Sequence, residues 1–284
     1  MQPLTATPVS CLIAAVMCLF GSVAYADFSY DFSTPPPATF IDTPSTLTGT
    51  PSATYSSSVS GGVLRFGDST HPNDGGAVIT IAYETGQVFT DVRATATLNP
   101  AGTSNNILNV SVRGTPAAGN TYAVGVDFQE GTLLIGKIMG DRPVDSVLST
   151  DRGQGSQPPL TDLARSYFLQ VDAIGNTVTA RLFDSPGGAQ LRLVNYTDTG
   201  SGGPAFTSGV SGLSALSLFE TPLRLDGTFD NFTSTAVPEP GAGALWVFIG
   251  LTLCQRRPSR RGVPACRDTP HLRLAYRQAP RAQH

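Results

Sequence analysis

Between residues 27 and 240 the chain has no cysteine, no tryptophan, one histidine and one lysine. Its four cysteines, Cys11, Cys18, Cys254 and Cys266, all lie nearer the ends. That stretch therefore has no disulfide framework, no cysteine-based zinc site and no thiol nucleophile. With His71 alone, a multi-histidine metal centre is excluded there. A Ser-His-Asp triad would have to use His71, which stands in a turn-like run, His71-Pro72-Asn73-Asp74-Gly75-Gly76, and no Gly-x-Ser-x-Gly elbow accompanies it. Trp246 is the one tryptophan, so the body has no tryptophan platform for a sugar. Positive charge is scarce too. Residues 27–240 hold 20 Asp+Glu against 10 Lys+Arg, a net of −10, whereas residues 241–284 hold one Asp and eight Arg, a net of +7. An acidic body argues against nucleic acid and anionic lipid as partners. It leaves carboxylates for calcium, which takes six to eight oxygen ligands. At about 210 residues the body can bury a full core without covalent staples.

What the chain does have is an apolar segment near each end. Residues Cys11 to Val23 are almost wholly apolar, and Ala24 and Ala26 place small residues where a signal peptidase reads them. Residues 1–26 are expected to be a signal peptide, helical through its apolar part, with Asp27 first in the mature protein. Its first ten residues carry no Lys or Arg. At the other end, Val237-Pro238-Glu239-Pro240 precedes an apolar run over 241–254 and then Arg256-Arg257 and Arg260-Arg261. As a helix those 14 residues span about 21 Å, against a hydrocarbon core of about 30 Å. That is a marginal anchor, and the arginines after it should stay cytoplasmic. Pro238 and Pro240 keep the entry extended around Glu239. The three parts, over 237–261, resemble the PEP-CTERM sorting signal. The resemblance implies transient membrane contact through 241–254 and processing by an exosortase-type enzyme. It also implies delivery to the cell envelope or extracellular matrix of a Gram-negative bacterium. Residues 262–284 add four more arginines and no clear periodicity, and are expected to be disordered.

The body reads as strands. Val63–Phe66 is short and apolar, Ala77–Tyr83 is a strong β run, and Val88–Leu98 alternates. Ile107–Arg113 places Leu108, Val110 and Val112 opposite Ile107, Asn109, Ser111 and Arg113. Tyr122–Phe128 and Leu133–Ile135 form a hairpin across Glu130-Gly131. Tyr167–Val171 and Val178–Phe183 form a second across Gly175-Asn176. Leu191–Tyr196, Leu213–Phe219 and Leu223–Phe232 complete the set. Ser33–Ser60, rich in Ser, Thr and Pro, reads as a linker or as the irregular start of the β-domain, the second being favoured. Leu160–Arg165 is the only helix candidate. A dozen or so short strands between Gly/Pro/Asn turns predict an all-β fold of two packed antiparallel sheets over 27–236. Three stretches, Tyr122–Asp127, Tyr167–Asp184 and Leu225–Phe232, are similar to the concanavalin-A-like, laminin-G-like jelly roll.

Chemistry is harder to find. A glycan-cleaving enzyme on such a fold needs two facing carboxylates. Asp127 and Glu130 are three apart, Asp172 is followed by apolar residues, and Glu220 stands at a strand end, so none has a partner at the right spacing. The expectation is a non-enzymatic structural or adhesive protein with weak carbohydrate binding, a glycan-cleaving enzyme being the alternative. Tyr55, Tyr83, Tyr122, Tyr167 and Tyr196 are the aromatic platform candidates, though at period-two positions such residues more often pack. The jelly-roll resemblance implies a structural calcium at Asp230, with Asp31 as its mate if the first and last strands pair. The Asn73-Asp74-Gly75-Gly76 loop is a weaker calcium candidate.

Overall fold

A computed structural model describes residues 27–48, 57–66, 77–100, 106–139, 142–153, 160, 162–200, 203–218 and 227–238. The signal segment with Ala24 and Ala26 lies outside the described residues. So do Glu239, Pro240, Arg256, Arg257, the 241–254 run, the 262–284 extension, His71, the 73–76 loop, Tyr55 and Glu220. The chain divides into two units, Met1–Glu239 and Pro240–His284, and every described residue falls in the first.

That first unit is an all-β, two-sheet antiparallel jelly-roll sandwich. Its strands are β1 (Asp27–Tyr30), β2 (Phe40–Thr48), β3 (Ser57–Ser60), β4 (Val63–Phe66), β5 (Ala77–Phe89), β6 (Val92–Asn99), β7 (Asn106–Thr115) and β8 (Asn120–Asp127). They continue as β9 (Thr132–Met139), β10 (Arg142–Asp151), β11 (Tyr167–Ile174), β12 (Thr177–Phe183), β13 (Gln190–Thr197), β14 (Gly209–Leu218) and β15 (Thr228–Ala236). One sheet has eight strands in the order β13-β12-β11-β6-β15-β4-β3, with β1 also paired to β15. The other has seven, β10-β9-β8-β7-β14-β5-β2. The chain passes repeatedly from one sheet to the other, so neighbours in space are mostly distant in sequence.

Period two explains the core. In β6, Val92, Ala94, Ala96 and Leu98 point inward and are buried, while Arg93, Thr95, Thr97 and Asn99 point out. Leu169, Val171 and Ala173 of β11 and Val178, Ala180 and Leu182 of β12 do the same from neighbouring strands. Facing them from the seven-stranded sheet are Leu108, Val110, Val112, Val124, Val126, Leu133 and Ile135. Between the sheet ends an aromatic group closes the core: Tyr30 meets Phe32 edge-on at 4.4 Å, and Phe40 and Phe28 pack on Phe232 at 6.4 and 5.8 Å.

Two expectations change. The alternating run Val88–Leu98 is two strands, because Thr90 and Asp91 carry the chain from the seven-stranded sheet to the eight-stranded one. The described residues of Leu160–Arg165 form turns, not helix. Ser33–Ser60 contributes β2 and β3, so within the described residues it belongs to the β-domain. Gly175 at φ 52 sits at the tip of the β11–β12 hairpin, a left-handed conformation that glycine adopts without strain.

The seven-stranded sheet is strongly curled. Laid flat, its outermost strands would stand about 29 Å apart, yet β10 and β2 approach within 8 Å. Both edge strands carry a proline, Pro143 and Pro44, which has no N–H to donate. The edges of the eight-stranded sheet are covered by aspartates from these same strands. Asp151 of β10 accepts a hydrogen bond from the Leu193 N–H of β13 at 3.0 Å, and Asp42 of β2 accepts from the Ser57 N–H of β3 at 2.9 Å. Carboxylates on exposed strand edges discourage pairing with other chains.

Candidate functional site

The outer face of the seven-stranded sheet is one place where a ligand groove would be sought. Its described central residues are buried instead. Ile81, Tyr83, Ala123, Ile138 and Val210 form a second buried cluster on that face, and Asn109, Ser111, Thr121 and Ser214 are buried beside them. Tyr83 is 0 % exposed and lies over Gly114 and Gly212, where any Cβ would collide with its ring. Gly125 similarly makes room for Asn109. The four described tyrosines named as platforms are thus packing residues. Tyr83 is in this cluster, Tyr122 and Tyr167 are in the main core, and Tyr196 packs against that core.

Among the described residues the candidate carboxylates do not assemble as a catalytic pair. Asp127 accepts hydrogen bonds from the Gln129 and Glu130 N–H groups, both at 3.0 Å, and so shapes the β8–β9 turn. Burial pushes its carboxyl above the ordinary range. Glu130 is exposed and lies 3.7 Å from Arg152. Asp172 belongs to the other sheet.

Asp172 has the partners that its local sequence did not reveal. They come from adjacent strands: Arg93 of β6 and Thr179 of β12 stand opposite it in the ladders. Arg93 Nε donates to Oδ1 at 2.6 Å, Arg181 donates to Oδ2 at 2.6 Å, and Gln170 donates to Oδ2 at 3.0 Å. Burial pushes the Asp172 carboxyl up, but the bonds from Arg93, Gln170 and Arg181 outweigh it and hold the group below the usual carboxylate range. On the same outer face, Phe168 and Phe183 are register partners with ring centroids 6.2 Å apart, and Thr95 bonds Thr233 at 2.7 Å. The outward face of the eight-stranded sheet is therefore polar and hydrogen-bonded, with a partly buried aromatic pair beside charged donors.

The calcium candidates meet only in part. β1 and β15 do pair, with Tyr30 opposite Phe232, so Asp31 and Asp230 lie near the same end of that ladder. Each is engaged locally. Asp31 Oδ1 accepts from the Ser33 N–H and hydroxyl at 3.0 and 2.8 Å, and Asp230 Oδ1 accepts from the Asn231 N–H at 2.7 Å. Asn231, at φ 51, forms a bulge in β15. Among the described residues no group of three or more His, Cys, Asp or Glu gathers as a metal centre would require.

Two buried charges are the strongest polar features, and sequence reasoning missed the role of both. Lys137, the chain's one lysine, points inward from β9 and is fully buried with Asp198. Nζ donates to Asp198 Oδ2 at 2.8 Å and to the Gly203 carbonyl at 3.0 Å. The Tyr122 hydroxyl donates to the same Oδ2 at 2.5 Å and accepts from the Phe206 N–H at 3.1 Å. Burial pushes the Asp198 carboxyl up, but Lys137 and Tyr122 outweigh it and keep the group below the usual range. Burial, and then the hydrogen bond to Asp198, push the Tyr122 hydroxyl up. Arg113 is 1 % exposed and has φ 54 at a bulge in β7. It donates to the carbonyls of Thr90, Gly175 and Phe206 at 3.0, 2.6 and 2.9 Å, and pairs with Asp91 at 3.2 Å.

No protein-family model and no curated protein matches the chain. Several solved structures do. The carbohydrate-binding module CBM66 from Bacillus subtilis is 17% identical, covers 68% of this chain and 96% of its own, and has a TM-score of 0.44. The metal-free lectin I-B4 from Griffonia simplicifolia is 11% identical, with 74% and 98% covered and a TM-score of 0.46. The CBM2 module of the evolved Dit of Lactobacillus casei BL23 phage J-1 is 13% identical, with 76% and 100% covered and a TM-score of 0.48. All these TM-scores are under 0.5, so the fold assignment rests on the sheet order itself.

Proposed function

We propose that this chain is an exported protein of the cell envelope or extracellular matrix, delivered by exosortase-type sorting, whose sandwich body is structural or adhesive and binds carbohydrate weakly. The observation that carries the binding half is the outward face of the eight-stranded sheet. Phe168 and Phe183 offer apolar ring surface to the C–H face of a sugar, and Arg93, Arg181 and Gln170 offer hydrogen-bond donors beside it. The described central residues on the outer face of the seven-stranded sheet are buried. The adhesive reading is preferred to glycan cleavage because Asp127 and Asp172 lie on different sheets and each is occupied.

The exported protein should bind a subset of polysaccharides on a glycan array at high micromolar to millimolar strength. The Phe168→Ala/Phe183→Ala variant should lose that binding while keeping its thermal midpoint within a few degrees. Binding unchanged in the variant would remove this face from consideration. Running the array in calcium and in chelator also reads whether a structural calcium at Asp230 and Asp31 supports binding.

The sorting half rests on Val237-Pro238-Glu239-Pro240, the 241–254 run and Arg256-Arg257. Signal peptidase and an exosortase-type enzyme are the partners in this reading. Protein recovered from the envelope of its native host should begin at Asp27 and end near Pro240. An intact C-terminus through His284 in that fraction would refute the sorting half and leave the binding half standing.

A further inference from the structure

We propose that Lys137 and Asp198 are joined by an intramolecular isopeptide bond, formed by the folded body without any cofactor. The amine and the carboxyl lie on elements 61 residues apart in sequence, both fully buried, with Nζ 2.8 Å from Oδ2. The remaining groups are placed as an acyl condensation needs them. Oδ2, the oxygen that must leave, accepts hydrogen bonds from both Nζ and the Tyr122 hydroxyl. Oδ1, the oxygen that must carry negative charge in the tetrahedral intermediate, accepts from the Gly200 N–H at 2.8 Å. The rings of Phe206 and Tyr122 stand 5.0 and 6.0 Å from Nζ and help wall it from water.

The step balances without an oxidant. The Lys137 ammonium passes one proton to Oδ2, which turns the ion pair into a neutral amine and acid. The Nζ lone pair then adds to Cγ. A second Nζ proton moves to Oδ2, the Cγ–Oδ2 bond breaks, and one water leaves with both protons. The Nζ–Cγ amide remains, with Oδ1 as its carbonyl oxygen. Holding amine and carboxyl in contact in a dry site replaces the unfavourable bimolecular encounter of this condensation in water. A water-excluded site also protects the product from hydrolysis. The link would fasten β9 to the segment after β13, which suits a protein held outside the cell where no repair follows.

Tryptic digestion of the full chain, followed by peptide mass analysis, tests this. Trypsin should fail to cut after Lys137. Peptide 114–152 should appear joined to peptide 193–224, lighter than the sum of the two by one water. Lys137→Arg, which keeps the positive charge, should abolish the joined species and give 114–137, 138–152 and 193–224 as separate peptides. Separate, unlinked peptides from wild-type protein after prolonged incubation at its working temperature would overturn the proposal. So would the joined species persisting in Lys137→Arg.

Discussion

Replacing Lys137 with methionine should destabilise the body by about 3–5 kcal/mol, the usual cost of removing one partner from a buried ion pair. The methionine fills much of the space, so the loss comes from Asp198. Its carboxylate would keep the Tyr122 hydroxyl and the Gly200 N–H but lose its countercharge in a site with no water access. The Gly203 carbonyl would lose its donor as well. A paired change, Lys137→Met with Asp198→Leu, should recover a large part of the loss, because it removes the stranded charge along with the pair. Urea unfolding of the three proteins would show it. A single variant as stable as wild type would mean that the ion pair contributes nothing. Any covalent link would add to the loss in the single variant, so the figure given is for the ion pair alone.

The same cluster predicts a pH dependence. Asp198 and Asp172 both have folded-state pKa values below their ordinary value. A depressed carboxyl contributes stability that is present above its unfolded pKa and is lost as pH falls through its folded pKa. Stability should therefore fall on acidification below about pH 4, through Asp172 alone where Asp198 is linked to Lys137 and through both carboxyls where it is free. Against unlinked wild type, the loss should be smaller in Lys137→Met, whose Asp198 has lost its largest reason to stay ionised.

How much of this was legible in the sequence depends on what each strand faces. Strand β6 was readable because one face meets the core and the other meets solvent, so its residues alternate. Strands β7, β8 and β9 are buried on both faces; alternation still set Leu108, Val110 and Val112 apart in β7, but a run such as Thr132–Met139 shows β propensity without showing which side is which. Strands β2, β3 and β10 were missed because edge strands here are built from Ser, Thr, Asp and Pro with few apolar residues. The prolines of β2 and β10 do fit an edge position and could have been read that way.

The polar clusters were hidden for a different reason. Asp172 was read beside Ala173 and Ile174, but its partners are 79 residues away in Arg93 and across a hairpin in Arg181. Lys137 did carry a signal. A lone lysine set between Leu133-Leu134-Ile135 and Ile138-Met139 is in poor company for a surface residue, and burial with a carboxylate is the ordinary resolution. Its partner Asp198 stands just past the end of β13 with no feature to single it out.

Arg113 gives the second large effect. Its substitution by methionine should cost about 3–5 kcal/mol, from lost charge-assisted hydrogen bonds and stranded acceptors. The guanidinium touches one end of the sandwich at four places. It binds the Thr90 carbonyl and the Asp91 carboxylate where the chain changes sheets, the Gly175 carbonyl at the β11–β12 hairpin tip, and the Phe206 carbonyl in the segment before β14. Asp91 Oδ1 also accepts from the Gly175 N–H at 2.9 Å, so the hairpin tip is held from both sides. Sequence alternation placed Arg113 as an outward ladder residue. The bulge at φ 54 turns it aside, and only that turn lets one side chain reach three carbonyls. Lysine should rescue poorly, since a point charge cannot reproduce the planar fork that serves several acceptors at once. Hydrogen exchange should locate the damage: amides at 89–92, 174–177 and 206–209 should lose protection together in Arg113→Met, while β8 and β9 keep theirs. Loss of protection spread evenly over both sheets would show that Arg113 supports the core as a whole, and the picture of a single residue fastening three segments would fall.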